Sequence, residues 1–179
     1  INFTVYQDNS SYQAAGLLDN CIVRYGGSRQ YIDGGLNDGG YSNIYFKNHN
    51  NHGKISPTVK NSIIEKSLYS GISHNVSSPN LENLTIRNNN DAAITSQRMQ
   101  DTTLNLSGNF DIHHNGINGV KYTYGGNYIN TNRTFSNKVV HYFTPITPLY
   151  VSSGVTWTIE PGTIVKAQGV QFNISGNIN

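Results

Sequence analysis

The feature that most constrains the fold of this chain is an internal repeat. Residues 56–72 read SPTVKNSIIEKSLYSGI and residues 78–94 read SPNLENLTIRNNNDAAI, an offset of 22 residues with no gap. A further copy, NFDIHHNGINGV, begins at Asn109, 26 residues after its counterpart Asn83, and an earlier partial copy reads LLDNCIVRY. A unit this short can bury its apolar face only by stacking on the next unit. The repeat therefore predicts a solenoid.

The copies align on a marker asparagine, and apolar and polar residues alternate behind it. The markers are Asn20, Asn61, Asn83 and Asn109. Three places after the marker every copy has an apolar residue, and these are Val23, Ile64, Ile86 and Ile112. Four places after the marker every copy has a polar residue, and these are Arg24, Glu65, Arg87 and His113. This alternation is typical of a strand with one buried and one exposed face.

Stacking turns each column of the alignment into a file of like residues. We expect the isoleucines of the apolar column to lie on top of one another in a dry interior, at the spacing of neighbouring strands, about 4.8 Å. The marker asparagines are expected to form an internal, buried ladder that satisfies backbone groups of the turns. The polar column places Glu65 near Arg87. The segment YSNIYFKN could be a rung of its own with Asn43 as its marker, but it aligns better with Ile44 matched to Ile72.

These segments resemble a known fold family. SPTVKNSIIEKSLYSGI, NLTIRNNNDAAI and LLDNCIVRYGGS resemble coils of the right-handed parallel β-helix, the pectate-lyase-like fold, as found in secreted bacterial proteins. VSSGVTWTIEPGTIVKAQGVQFNISGN, residues 151–177, is similar to a segment that begins such helices in large bacterial surface proteins. The resemblance implies an all-β, right-handed parallel β-helix, and the length of the chain predicts about seven rungs. It implies no single activity, because one fold hosts many functions.

The repeat also predicts how the chain is organised. We expect β-helix coils over residues 1–140 and a connector at 141–148, where two prolines interrupt the pattern. Residues 149–179 are expected to be the first coils of a following β-helix segment, which stops in mid-pattern. The chain is thus expected to be a fragment, open at both ends, of a longer protein with further domains.

Composition narrows the classes of function. Only 12% of the residues are charged and the net charge is +2. Lysine and arginine do not cluster, which argues against a nucleic-acid partner. No apolar run reaches the length of a membrane span, and good helix formers are too scarce for a helical bundle. The single cysteine, Cys21, cannot form an internal disulfide and lies in an inward column, so a buried, inert thiol is expected.

Three insertions interrupt the repeat, at residues 26–40, 47–55 and 121–138. Insertions in a solenoid gather on one face and often carry binding sites. The candidate ligand-binding residues in and beside them are Tyr31, Tyr41, Tyr122, Tyr124 and Tyr128. Tyrosine rings beside asparagine and glycine suit sugars, which offer an apolar ring face and hydroxyl groups. The alternative is that these rings simply pack the insertions against the coils.

No cofactor or metal site is predicted. Asp33 and Asp38 flank a turn whose spacing does not match a calcium loop. His113 and His114 are adjacent on a strand and should point to opposite faces, and His49 and His52 have no carboxylate nearby. For catalysis, no column stacks two carboxylates and the motifs of β-helix lyases and polygalacturonases are missing. The sequence thus leans against an enzyme without deciding the matter.

The expected function is that of an extracellular or cell-surface segment. The chain is predicted to be part of a large exported bacterial surface protein, in which it serves as a rigid spacer or as an adhesin that binds a polysaccharide or cell-surface glycan. Two alternatives stay open at this point. One is part of a β-helix polysaccharide lyase or glycoside hydrolase, and the other is a segment of a phage tail-spike or fibre.

Overall fold

The computed structural model describes residues 1–5, 13–27, 42–48, 54–97, 103–123, 128–144 and 148–179. In these residues the chain is all β and contains no helix, and every pair of strands is parallel. The strands stack as a β-solenoid of about 5 turns, and the fold class is therefore the one that the repeat predicts. Among the described residues, no helix is long and apolar enough to cross a membrane.

The strands are short, and turns or insertions separate them. In chain order they are β1 (Asn2–Val5), β2 (Gln13–Ala14), β3 (Leu17–Asp19), β4 (Ile22–Arg24), β5 (Ser42–Asn48), β6 (Lys54–Ile55), β7 (Thr58–Lys60), β8 (Ile63–Glu65), β9 (Ser70–Asn75), β10 (Asn80–Arg87), β11 (Ala92–Gln97), β12 (Asn105–His113), β13 (Ile117–Thr123), β14 (Tyr128–Ile129), β15 (Arg133–Phe135), β16 (His141–Phe143), β17 (Leu149–Val151), β18 (Thr156–Ile159), β19 (Val165–Ala167), β20 (Phe172–Ile174) and β21 (Asn177–Ile178).

One sheet runs through the whole stack. Its seven strands lie in the order β1-β5-β9-β11-β13-β16-β19, and each strand is hydrogen-bonded to the next. A second sheet of β3, β4, β7, β8, β10 and β12 covers the first four turns. Beyond β12, two three-stranded sheets, β14-β17-β20 and β15-β18-β21, take its place. The solenoid therefore changes its cross-section after the fourth turn.

The apolar column forms the predicted file. Val23 pairs in register with Ile64, Ile64 with Ile86, and Ile86 with Ile112. Ile64 and Ile86 are fully buried. The alignment of Ile44 with Ile72 is confirmed as a register pair. β-branched side chains fit this environment because they pack well on a pleated surface.

Each early turn has two corners at which a residue has a positive φ, in the left-handed region of backbone conformation. The first lies at Asn20, Asn61 and Asn83, with φ of 53°, 50° and 50°. In the fourth turn Gly108 takes this conformation, with φ of 68°. Asparagine and glycine adopt positive φ more readily than other residues do. The second corner consists of Tyr25, Lys66, Asn88 and His114, with φ between 55° and 61°. These corners explain why an asparagine recurs at a fixed place in the repeat.

The number of turns is smaller than predicted. The stack has about 5 turns rather than seven. The reason is that inserted segments lengthen a turn instead of adding one: β4 ends at Arg24 and β5 begins at Ser42 within the same turn. Residues 141–143, inside the predicted connector, form β16, which pairs with β13 on one side and β19 on the other. The proposed division of the chain into domains stays a prediction.

The later turns are filled by aromatic rings. Tyr122 lies parallel to Phe135 and Phe143, with ring centroids 5.4 and 4.8 Å apart. The Trp157 ring meets the Phe135 ring edge to face at 5.1 Å. Such pairs add about 0.5–1.5 kcal/mol beyond the area that they bury. The core thus passes from files of isoleucine in the early turns to an aromatic cluster in the later ones.

Candidate functional site

The marker asparagines form a row on the surface. The Asn83 side-chain amide donates to Asn61 Oδ1 at 3.1 Å, and the Asn61 amide donates to Asp19 Oδ1 at 2.9 Å. The Asn20 amide donates to the same Asp19 oxygen at 3.0 Å, and the Asn109 backbone N–H donates to Asn83 Oδ1 at 3.0 Å. These hydrogen bonds hold the pKa of Asp19 below its ordinary value, chiefly through the Asn61 amide.

The expectation that this row is internal and buried is wrong, because the markers Asn20, Asn61, Asn83 and Asn109 are all exposed. A residue at a left-handed corner carries its side chain away from the dry interior, where the alternating strand residues lie. In the fourth turn the corner position has moved to Gly108, so that Asn109 meets Asn83 through its backbone N–H rather than its side chain.

A buried set of asparagines lies at the opposite end of the second sheet. Asn89 is 2% exposed, and its Oδ1 accepts the Ser67 backbone N–H at 2.9 Å. Its side-chain amide donates to the Ile64 carbonyl at 3.3 Å and to Asn115 Oδ1 at 2.8 Å. Asn43, 1% exposed, plays a similar part by accepting the Gly26 N–H at 2.7 Å and donating to the Glu65 carbonyl at 2.8 Å. These side chains satisfy backbone groups that the turn leaves unpaired.

The sequence held a signal for this buried set. Asn89 and Asn115 each follow a marker, Asn83 and Asn109, by six residues. The signal was missed because the earlier copies have Gly26 and Ser67 at this place. In those turns Asn43 accepts the Gly26 N–H, and the Ser67 hydroxyl donates to the Gly26 carbonyl at 3.4 Å.

Replacing Asn89 with alanine is expected to lower the free energy of unfolding by about 2 kcal/mol, because the Ser67 N–H would be left buried without a partner. The matched control is Asn83→Gly, which removes an amide at an exposed corner while keeping positive φ accessible. Its expected cost is below about 1 kcal/mol. Urea denaturation measures the free energy of unfolding of both variants. Equal losses would show that the hydrogen bonds of buried Asn89 contribute no more to stability than those of exposed Asn83.

The predicted ligand-binding tyrosines have different surroundings. Tyr31, Tyr41 and Tyr124 lie outside the described residues. Tyr122 is 7% exposed, and its hydroxyl hydrogen-bonds with His141 Nδ1 at 2.8 Å. Tyr128 is 42% exposed and stacks on Tyr150 with ring centroids 4.8 Å apart. Of these two described residues, Tyr122 is a core residue and Tyr128 has an exposed ring.

Two buried histidines line a small cavity at the change of cross-section. The cavity measures about 20 Å³, and its lining includes His74, Tyr122, Arg133 and His141. His141 Nε2 donates to the Ser136 carbonyl at 2.9 Å, so its Nδ1 accepts from the Tyr122 hydroxyl. Burial lowers the pKa of His141 and raises that of Tyr122.

His74 is the more isolated of these two histidines. It is 1% exposed, and its Nδ1 donates to the Ser77 carbonyl at 3.3 Å. Its Nε2 is buried and has no hydrogen-bond partner among the described residues. Burial lowers the pKa of His74 to about 4, and the nearby Arg133 charge acts in the same direction. His74 is therefore neutral at pH 7 and is a source of sensitivity to acid.

A charged group crosses three turns at the second corner. Glu65 accepts from Arg87 Nε at 2.9 Å and lies 3.8 Å from Arg24 Nη1, which confirms the expected approach of Glu65 and Arg87. The Arg87 guanidinium holds the pKa of Glu65 below its ordinary value. On the same corner, Lys66 lies over the ring of Tyr25, with Nζ 5.4 Å from the centroid. These ion pairs link neighbouring turns, with the buried Glu65 between the more exposed side chains of Arg24 and Arg87.

Of the remaining candidate metal ligands, the structure describes only His113 and His114. Among the described residues, no group of three or more His, Cys, Asp or Glu side chains is placed to hold a metal ion. Nδ1 of His113 lies 2.6 Å from Nδ1 of His114, so the expectation that these rings point to opposite faces is wrong. The reason is that β12 ends at His113 and His114 turns the corner with φ of 55°. Asp33, Asp38, His49 and His52 lie outside the described residues.

The thiol of Cys21 is only partly buried, against the expectation of a fully buried one. It lies above Ser62, whose hydroxyl oxygen accepts the Cys21 N–H at 3.0 Å, and its Sγ approaches the Asp19 carbonyl at 3.2 Å. Cys21 lies in the first turn, where the inward-facing Leu18 and Val23 are also only partly buried, whereas their counterparts Val59 and Ile64 in the next turn are fully buried. The first turn therefore covers its inward column less completely than the later ones do.

Comparisons with protein-family models, with curated proteins and with solved structures find no match for this chain.

Proposed function

We propose that this chain is a rigid segment of an exported bacterial surface protein, in which the stacked turns serve as a spacer. The observation that supports this proposal is the seven-stranded sheet, which continues from β1 to β19 through both cross-sections. The right-handed form of the solenoid and its kinship with pectate-lyase-like β-helices belong to the same proposal.

The geometry of stacking supports rigidity. In a parallel solenoid the backbone hydrogen bonds run along the stacking axis, so bending the rod breaks several bonds of one turn at once. The Ile64 and Ile86 file, the buried asparagines and the Glu65–Arg87 pair tie the same turns together through side chains. With about 5 turns, the stack is about 24 Å long at a spacing of about 4.8 Å per turn.

The spacer role is tested by two measurements on the intact protein. Spin labels are placed at positions 25 and 114 in a Cys21→Ser background, where Tyr25 and His114 lie three turns apart. Dipolar broadening should give one narrow distance near 15 Å, which is about three strand spacings. Antibodies against the folded chain should label intact cells of the source organism as strongly as permeabilised cells. A broad distance distribution would contradict rigidity, and labelling of permeabilised cells alone would contradict export.

A second candidate function is carbohydrate binding by the outer face of the sheet β14-β17-β20. Tyr128 pairs in register with Tyr150, and Tyr150 pairs with Asn173. The two rings stack at 4.8 Å with an angle of 15° between their planes, and Tyr128 is 42% exposed. Because the two rings lie face to face, a sugar would stack on the exposed part of the Tyr128 ring, and the Tyr150 hydroxyl and the Asn173 amide along the same row would hydrogen-bond with it. This row favours an adhesive role in addition to the spacer role.

A further inference from the structure

A groove of about 190 Å³ opens beside the place where the solenoid changes its cross-section. The file of Val23, Ile64 and Ile86 ends at Ile112, because no described strand pairs with the outer edge of β12. The segment 137–140 runs past this edge instead, and its residues form one wall of the groove. The groove is therefore a consequence of the turn lengths rather than of a single side chain.

Apolar side chains line part of the groove, and one of them is aromatic. Phe110 and Ile112 continue the inward columns of the earlier turns, yet both are only partly buried. Ile164, which precedes β19, is 53% exposed and also lines the groove. In the earlier turns the equivalent residues Leu84 and Ile86 are covered and almost fully buried. The Phe110 side chain is thus partly open to the groove.

The rim of the groove carries hydrogen-bonding groups with unused capacity. Asn118 Oδ1 accepts from the backbone and side-chain N–H groups of Asn115, so its own amide remains a donor. Asn137 donates its amide to the Pro161 carbonyl at 3.0 Å, so its Oδ1 remains an acceptor. Lys138 Nζ donates one proton to the Gly108 carbonyl at 3.1 Å and has two more. Within the described residues these atoms make no other hydrogen bond.

We propose that this groove binds one pyranose residue of a glycan. Sugar hydroxyls both donate and accept, which matches a rim that offers donors at Asn118 and Lys138 and an acceptor at Asn137. The apolar face of a pyranose ring suits the Phe110 side chain. The volume lies below the roughly 300–1,000 Å³ of pockets for drug-sized ligands, which suits a single ring. The inference extends the carbohydrate-binding candidate to a second, separate place on the molecule and does not depend on the spacer role.

The test is saturation-transfer NMR on the full chain with a panel of methyl pyranosides that includes neutral hexoses, N-acetylhexosamines and uronates. At least one of them should show saturation transfer. Its addition should also shift the side-chain amide signals of Asn118 and Asn137 in spectra of the protein. Phe110→Leu keeps an apolar side chain but removes the ring, and it should weaken binding about tenfold. Lys138→Gln should weaken it severalfold. The matched controls, Phe172→Leu and Lys166→Gln, replace an exposed aromatic and an exposed lysine elsewhere and should bind as the parent does.

Two other results would contradict the groove site, and they can be told apart. Binding that Tyr128→Ala abolishes but Phe110→Leu and Lys138→Gln leave unchanged would place the sugar on the tyrosine row, which removes the groove site and keeps the adhesive candidate. If no pyranoside of the panel binds, both the groove site and the tyrosine row are excluded as sugar-binding sites. A melting curve for each variant separates lost binding from lost folding, and the rigidity measurement above stands apart from all of these results.

Discussion

Replacing Ile86 with alanine is expected to lower the free energy of unfolding by about 4 kcal/mol. Ile86 is fully buried and pairs in register with Ile64 on one side and Ile112 on the other. Truncation loses the transfer free energy of the removed carbons and leaves a cavity between two turns that backbone hydrogen bonds hold at a fixed spacing. Because those turns cannot close in, the loss should lie toward the upper part of the usual 2–5 kcal/mol range.

Chemical denaturation of the intact chain measures this loss. The matched control is Ile22→Ala, which removes the same carbons from a side chain that is 55% exposed. Surface changes of this kind usually stay within about 0.5 kcal/mol. If the two variants lose equal stability, the file through Ile86 is not the core of the fold.

Acidification from pH 7 to pH 4 is expected to remove about 3 kcal/mol of stability through His74 alone. In the folded chain burial lowers the pKa of His74 to about 4, against 6.5 for the ordinary side chain. Between these two values the unfolded chain binds a proton that the folded chain does not. The stabilising contribution is therefore complete above pH 6.5 and is lost as the pH falls toward 4. Burial lowers the pKa of His141 as well, which adds to the loss in the same direction.

The experiment compares unfolding free energies at pH 7.5, 5.5 and 4.5 for the parent chain and two variants. His74→Gln has no group that titrates there and should lose clearly less stability on acidification. His114→Gln, which changes an exposed corner residue, should keep the acid sensitivity of the parent. Identical pH profiles for the parent and His74→Gln would show that His74 is not buried in a neutral form.

The repeat was sufficient to predict the stacking of turns. The 22-residue offset and the apolar column placed Ile64 above Ile86, and the polar column placed Glu65 beside Arg87. Both predictions depend only on strand alternation and on the equal length of two consecutive turns. Where turn length changes, as it does before Asn109, the register offset passes from 25 to 26 residues within one strand pair, and the corner passes to Gly108. A single sequence offset therefore does not align the whole of that turn.

The candidate sites were harder to predict than the fold. A marker asparagine and an asparagine six places later look alike in a sequence, yet Asn83 is exposed and Asn89 is buried. Which corner faces the interior depends on how the sheets meet, and that depends on every turn together. The groove beside Phe110 had no sequence signal, because it arises where the strand file stops at Ile112 and the following segment covers it incompletely.

Contacts between isoleucine methyl groups test the stacking of turns most directly. In a chain with labelled isoleucine methyls, Ile86 should show nuclear Overhauser effects to both Ile64 and Ile112, its register partners on either side. Ile64 and Ile112, two turns apart at about 10 Å, should show none to each other. Assigned methyl signals of Ile86 with no cross-peak to either isoleucine would contradict the stacked solenoid and everything inferred from it.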